Sequence, residues 1–313
     1  MEVQAISALD WLLASDEPGI AFQARRDLLD EPDPPEAAHV LEGPKVQALL
    51  AGQQADGGFG VHAYAKWGGA HWRLVSLVEL GMPAGEQRCV SAADTVLAWL
   101  TGKAHRAGVR TLDGLTRRCA SQEGNALAVC CRLGLAEDER VRLLAESLVE
   151  WQWPDGGWNC DLRASGRRSS FHESLAPMWG LHEFWVATGE DAARAASLRT
   201  AELFLEHRLF RTGGTGAPIH SSFATLHHPP FWHYDFLQAL LVLSRMGLAR
   251  DERAEDGLEL LEERRLADGR WRAGARWWKP PGSKGSNVEV VDWGTGPSAP
   301  LTLNALRVLK AAS

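Results

Sequence analysis

Apolar residues recur at three- and four-residue steps over windows 6–13, 46–50, 74–80, 90–100, 126–135, 141–151, 175–185, 195–205, 236–246, 258–266 and 301–309. This spacing lines one face of a 3.6-residue period and predicts amphipathic helices. Strand-like alternation is almost absent. Gly81, Gly134, Gly189 and Gly247 stand where helices should stop, and Pro18, Pro44, Pro230 and Pro300 stand near helix starts or in first turns.

The helices sort into two sets. One begins near Pro18, Gly68, Gln122, Ser169, Pro230 and Gly296, is less polar, and follows long Gly-rich loops. The other begins near Val3, Pro34, Arg88, Asp138, Asp191 and Asp251 and carries more charge. Starts within the first set lie roughly 45–65 residues apart, the span of a helical-hairpin repeat. Six such hairpins can close into a ring, which buries the apolar edges that an open solenoid leaves at its ends. The expected fold is all-α: one α6/α6 toroid domain over 1–313, with six inner and six outer helices around a central cavity.

Composition narrows the function. Lys+Arg 33 against Asp+Glu 40 gives a net charge of −7, which argues against nucleic acid as a partner. No apolar run reaches the length of about 18 residues that a transmembrane helix needs. No basic region precedes the first apolar stretch, so no signal peptide is expected. The 5 cysteines, an odd number, do not form a disulfide framework and fit a reducing, cytoplasmic setting. The 14 Trp against 2 Tyr and the 31 Gly are unusual, and Trp153, Trp158, Trp271 and five of the glycines fall in recurring segments.

Three segments echo one another: Gln53-Gln54-Ala55-Asp56-Gly57-Gly58-Phe59, Gln152-Trp153-Pro154-Asp155-Gly156-Gly157-Trp158, and the reduced Asp268-Gly269-Arg270-Trp271. The pattern Gln-x-x-Asp-Gly-Gly-Phe/Trp resembles the QW repeat of the terpenoid cyclase and protein prenyltransferase α/α toroid superfamily, which includes the squalene cyclase-like and the prenyltransferase and squalene oxidase repeats. By repeat count and order the resemblance covers nearly the whole chain. It implies that Gln53, Gln152, Trp158 and Trp271 are staples of helix ends, and that the ligand is a small hydrophobic or isoprenoid-like molecule. The Asp-x-Asp-Asp acid of the class II cyclases is absent, as is the Asp-Asp-x-x-Asp magnesium motif of the class I synthases. A carbocation-cyclising synthase of either usual kind is therefore not expected.

Candidate chemistry gathers at two inner-helix starts. His172 and Glu173 fall in the first turn of the fourth inner helix, and His233 and Asp235 in that of the fifth. Parallel inner helices would put these turns on one rim, with Cys160 in the feeding loop. Cys160, His172, His233 and Asp235 are zinc-ligand types. Prenyltransferase β-subunits are similar in holding zinc with an Asp-x-Cys and a later His; here His172 stands near the place of that Cys, so zinc would need a rearranged set. Without metal, His172, Glu173, His233 and Asp235 remain acid–base candidates. Each of these side chains could equally serve as a helix cap or a packed core group. Arg167 and Arg168, with Arg163 in the same loop, could grip a diphosphate, as the resemblance implies, or simply be solvated. Trp72, Phe171, Trp179 and Trp232 could line an apolar pocket or fill core. The Gly-rich Thr212–Gly216 stretch follows no strand and does not read as a nucleotide loop. Three functional readings follow: a transferase- or cyclase-like toroid enzyme; a non-catalytic toroid that binds a lipid-like ligand or a protein partner; and a toroid glycan hydrolase or lyase. The oligomeric state is not legible.

Overall fold

The computed structural model describes residues 7–213 and 215–313. The expected helix start at Val3, and Gly214 of the Thr212–Gly216 stretch, lie outside them. The described chain is mostly helical. Its α-helices are α1 (Ala8–Leu13), α2 (Pro18–Leu28), α3 (Pro44–Leu50), α4 (Ala70–Glu79), α5 (Gln87–Leu100), α6 (Lys103–Arg106), α7 (Ser121–Arg132), α8 (Glu139–Trp151), α9 (Phe171–Thr188), α10 (Asp191–Glu206), α11 (Phe236–Arg245), α12 (Glu255–Glu263) and α13 (Ala299–Ala312). Among the described residues no helix is long and apolar enough to cross a membrane. The five cysteines are unbridged.

The starts follow local chemistry. Side chains of Ser7, Glu86, Asp138, Asp235 and Ser298 accept first-turn N–H groups of α1, α5, α8, α11 and α13, which relieves donors that a helix leaves unpaired. Proline opens α2 and α3, where its missing N–H costs nothing.

One short element departs from expectation. Arg110–Leu112 and Leu115–Arg117 pair as an antiparallel hairpin, β1 and β2. Its turn is Asp113-Gly114, with φ of 50° and 77°. Both central residues sit at positive φ, as a two-residue hairpin turn of the primed type requires.

Burial differs sharply between the extremes of the helices. In α4 every residue from Ala70 to Val78 is buried, and in α11 every residue from Phe236 to Leu243. Such helices are surrounded by protein on all sides. In α12 only Gly257 and Leu261 are buried. One series of helices touches in succession: α4 meets α7, α7 meets α9, α9 meets α11, α11 meets α13, and α13 meets α2. Gln23 of α2 donates to the Glu79 carbonyl of α4 at 3.0 Å. The closest pair is α7 and α9. A Cβ on Gly180 would lie 2.5 Å from the Gly124 carbonyl oxygen, and one on Gly124 would lie 2.3 Å from the Pro177 nitrogen. Only glycine lets the two backbones approach so nearly.

The C-terminal ends of several buried helices are bound by charge. Arg132 reaches Glu183 at 2.9 Å, and Arg245 reaches Glu79 at 3.3 Å. Longer cross-contacts join Arg132 to Glu79 and Arg245 to Glu183. Arg307 of α13 pairs with Asp27 of α2 and donates to Gln23 at 2.8 Å. Cations at helix C-termini also face the negative ends of the helix dipoles.

The three repeated segments build one turn. The N–H of Gln54, Trp153 and Leu266 donates to the carbonyl of Gly58, Gly157 and Arg270, at 2.9, 2.8 and 2.8 Å. Gly57, Gly156 and Gly269 follow at φ of 84°, 92° and 79°. Gln53 donates to the Gly57 and Arg88 carbonyls, and Gln152 to those of Gly156 and Ala196. The indole of Trp158 donates to the Leu148 carbonyl at 3.0 Å, and that of Trp271 to Leu261 at 2.8 Å. Each accepting carbonyl lies ten residues before its tryptophan, in the last turn of the preceding helix. In the first repeat the aromatic is Phe59, which has no N–H. There Arg73 stacks over the Phe59 ring at 4.0 Å and donates to Leu49, ten residues before Phe59, at 2.9 Å. It also donates to Ala51 at 3.0 Å. A guanidinium on the next helix does the work of the missing indole.

Candidate functional site

The loops preceding α7, α9 and α11 bring several titratable side chains together. The narrow approach of α7 to α9 sets the first group. Cys119 lies just before α7, Glu173 lies in the first turn of α9, and Cys160 lies in the loop between α8 and α9. One ligand-type atom from each, two Sγ and a carboxylate oxygen, all lie within 4.8 Å of one another. Cys160 Sγ is 3.7 Å from Glu173 Oε1, and Glu173 Oε2 accepts the Ser121 N–H at 3.0 Å. Glu173 is buried and has no ion pair among the described residues. Burial raises its pKa, against the backbone bond from Ser121. The contact between the two thiols splits them: it lowers Cys119 and raises Cys160. The half-buried Tyr64 phenol faces the same group, and its pKa is raised first by burial and then by the nearby thiols and carboxylate.

A second group forms between α9 and α11. The Tyr234 N–H donates to His172 Nδ1 at 2.8 Å. His172 Nδ1 is thus bare, and the proton of the neutral ring sits on Nε2. His233 Nδ1 meets the Pro230 carbonyl at 3.2 Å. A carbonyl only accepts, so His233 carries its proton on Nδ1 and leaves Nε2 as an acceptor. The two rings lie 6.2 Å apart between centroids. Burial pushes His172 down to about 4 and His233 to about 3. Both imidazoles are therefore neutral near pH 7, one offering a donor and the other an acceptor. Trp232 and Trp277 sandwich His233, each at 3.9 Å. Trp67 stacks on Phe231 at 3.8 Å. Trp67, Trp72, Phe231 and Trp278 form a separate aromatic core there.

A cleft opens beside His233. Its wall includes Val75, Leu175, Trp179, Phe231, Trp232 and Leu241. Glu79 and Arg245 also line it. Space open to a water-sized molecule within it is about 40 Å³, room for very few waters.

The expected site residues thus divide. His233, Trp179 and Trp232 line the cleft, and His172 stands beside His233. The structure does not gather Cys160, His172, His233 and Asp235 into one ligand set: Cys160 sits with Cys119 and Glu173 instead. Asp235 faces away from His233. Its Oδ1 caps α11 through the Gln238 N–H, and its Oδ2 takes both the N–H and the ring Nδ1 of His227. A carboxylate held on both oxygens has little capacity left for a metal or a proton. Trp72 packs in the aromatic core and donates to the Tyr64 carbonyl. Phe171 packs on Phe204, Phe223 and Tyr234, away from the cleft. Arg167 is exposed and paired with Asp113 at 3.0 Å. Arg168 is exposed too.

Sequence reasoning missed Cys119, Tyr64 and Glu289. Cys119 was findable, because it stands just before the start of α7 as His233 stands before that of α11. Glu289 lies in an irregular segment with no periodicity. It is buried, and desolvation pushes its carboxyl up to about 7. That segment folds toward the loop before α4, where the Trp67 N–H reaches the Val288 carbonyl. No protein-family model and no curated protein matches the chain.

Proposed function

We propose that the chain is an α6/α6 toroid enzyme of the terpenoid cyclase and prenyltransferase kind, acting on a small hydrophobic or isoprenoid-like molecule held at the mouth that carries His172 and His233. Support for the ring comes from the succession of contacts among α2, α4, α7, α9, α11 and α13, returning from α13 to α2. The three matching turns support the family resemblance. The observation that carries the functional reading is the cleft: apolar and aromatic on its wall, with a neutral, pre-oriented imidazole on one side. The bare Nε2 of neutral His233 can take a proton from a bound molecule, while the Nε2–H of neutral His172 can donate a hydrogen bond that orients it. The narrowness of the cleft means that a prenyl chain must displace Trp179 or Trp232 to enter. The glycan reading has less behind it, because it needs a second free carboxylate and Asp235 is engaged on both oxygens.

Titration of the protein with a short polyprenyl alcohol, followed by tryptophan fluorescence, tests the reading. Saturable quenching is expected, tightened at least tenfold in Trp179→Ala, which removes a side chain that blocks the cleft, and unchanged in Arg167→Ala. A flat titration, or equal affinity in Trp179→Ala, would count against the cleft as the binding place.

A further inference from the structure

We propose that Cys119, Cys160 and Glu173 form a binding site for a zinc-class divalent cation, with two sulfur ligands, one carboxylate oxygen and a fourth corner left to water. The proposal stands on this cluster alone and holds whether or not the cleft takes an apolar ligand.

Three separate segments converge to make it: the entrance of α7, the loop after α8, and the first turn of α9. The glycine contact between α7 and α9 brings the first and third of these segments close. The spacing suits a tetrahedron. Zinc–sulfur bonds near 2.3 Å and zinc–oxygen bonds near 2.0 Å put neighbouring ligand atoms about 3.5 Å apart. Cys160 Sγ and Glu173 Oε1 are 3.7 Å apart.

The supporting contacts fit as well. The Ser121 N–H holds Glu173 Oε2, which leaves Oε1 toward the sulfurs. A fixed outer hydrogen bond of this kind orients a metal-ligating carboxylate. The neighbouring cation is committed elsewhere, since Arg118 donates to Glu123 at 2.9 Å. A buried carboxylate beside two thiols, with no ion pair of its own, is an arrangement that a divalent cation stabilises. Paired sulfur ligands favour zinc over magnesium or calcium. Three protein ligands with one open corner is the pattern of a zinc site that admits a further ligand.

The test uses the full chain, reduced and freed of metal by a chelator. Cobalt(II) is then added. One equivalent should give an intense near-ultraviolet band from thiolate-to-cobalt charge transfer and visible bands of tetrahedral strength. Added zinc should abolish both and raise the melting temperature. Cys119→Ser and Cys160→Ser should each lose most of the charge-transfer band, and Glu173→Gln should weaken cobalt binding at least tenfold. Cys131→Ser, outside the cluster, should keep it in full. Circular dichroism checks that the variants fold; should a cysteine variant fail to fold, the wild-type spectrum and stoichiometry still decide. Absence of the band in reduced wild-type protein, or its survival in folded Cys119→Ser/Cys160→Ser, would overturn the site. A disulfide that re-forms under the reducing conditions and excludes cobalt would overturn it as well.

Discussion

A single proton separates the two roles of His172. Its Nδ1 accepts the Tyr234 N–H, so protonating that nitrogen sets a donor against a donor. Its folded pKa is about 4, below the ordinary 6.5. Between those values the unfolded chain binds a proton that the native ring refuses, so native stability rises with pH there and is lost on acidification. His71, His228 and His233 are each lowered to about 3 by burial and act in the same direction. Glu289, raised to about 7, works the other way: its contribution is present below about 4.5 and is lost as pH rises to 7. The contribution of His172 is isolated by comparison. Melting temperatures measured from pH 6.5 down to pH 4 should fall more steeply in wild type than in His172→Gln, whose side chain does not titrate. Parallel curves would mean that His172 accepts a proton without disturbing Tyr234.

At the level of the element, the repeated turns show how a motif keeps its function while its residues change. The carbonyls at Leu148 and Leu261 are served by indoles, and the one at Leu49 by Arg73. Arg73→Leu should therefore destabilise by about 1–3 kcal/mol, the cost of leaving buried carbonyls without donors. Phe59→Trp in that background should recover part of the loss, because its indole lies ten residues after Leu49. Denaturant unfolding of the two single variants and the double variant measures the coupling, and strict additivity would show that the two side chains do not share the bond. The helices themselves were legible from periodicity, and the Gln-x-x-Asp-Gly-Gly turns from their recurrence. Two things were not. The β1–β2 hairpin was announced by Asp113-Gly114, but three-residue strands are too short for alternation to register. Asp235 read as a zinc-ligand type or acid–base group of the same rim as His233, because a single residue separates them. In the fold it caps α11 and binds His227, a bond made by the path of the loop before α11, which spacing does not encode.

For the whole molecule, the proposed ring makes a claim about cooperativity. An open solenoid that loses its last helix keeps the stability of its remaining repeats. In a ring, α13 contacts α11 on one side and α2 on the other, and Arg307 and Lys310 bind Asp27 and Asp30 of the α2 end. Removing residues 299–313 opens both seams. The shortened chain should lose its sharp melting transition instead of melting a few degrees lower. A retained sharp transition would favour an open array of hairpins.

Arg132, Glu79, Arg245 and Glu183 interlock at the far end of the cleft from the histidines. Beyond them lies a second hollow, lined by Arg26, Asp27, Arg307 and Lys310, which shares Leu241 and Arg245 with the first. Four half-buried charges locked in pairs make a poor passage for anything apolar. On the proposed reading the cleft therefore has one door, and a ligand that enters beside Trp232 leaves the same way, so arrivals wait on departures.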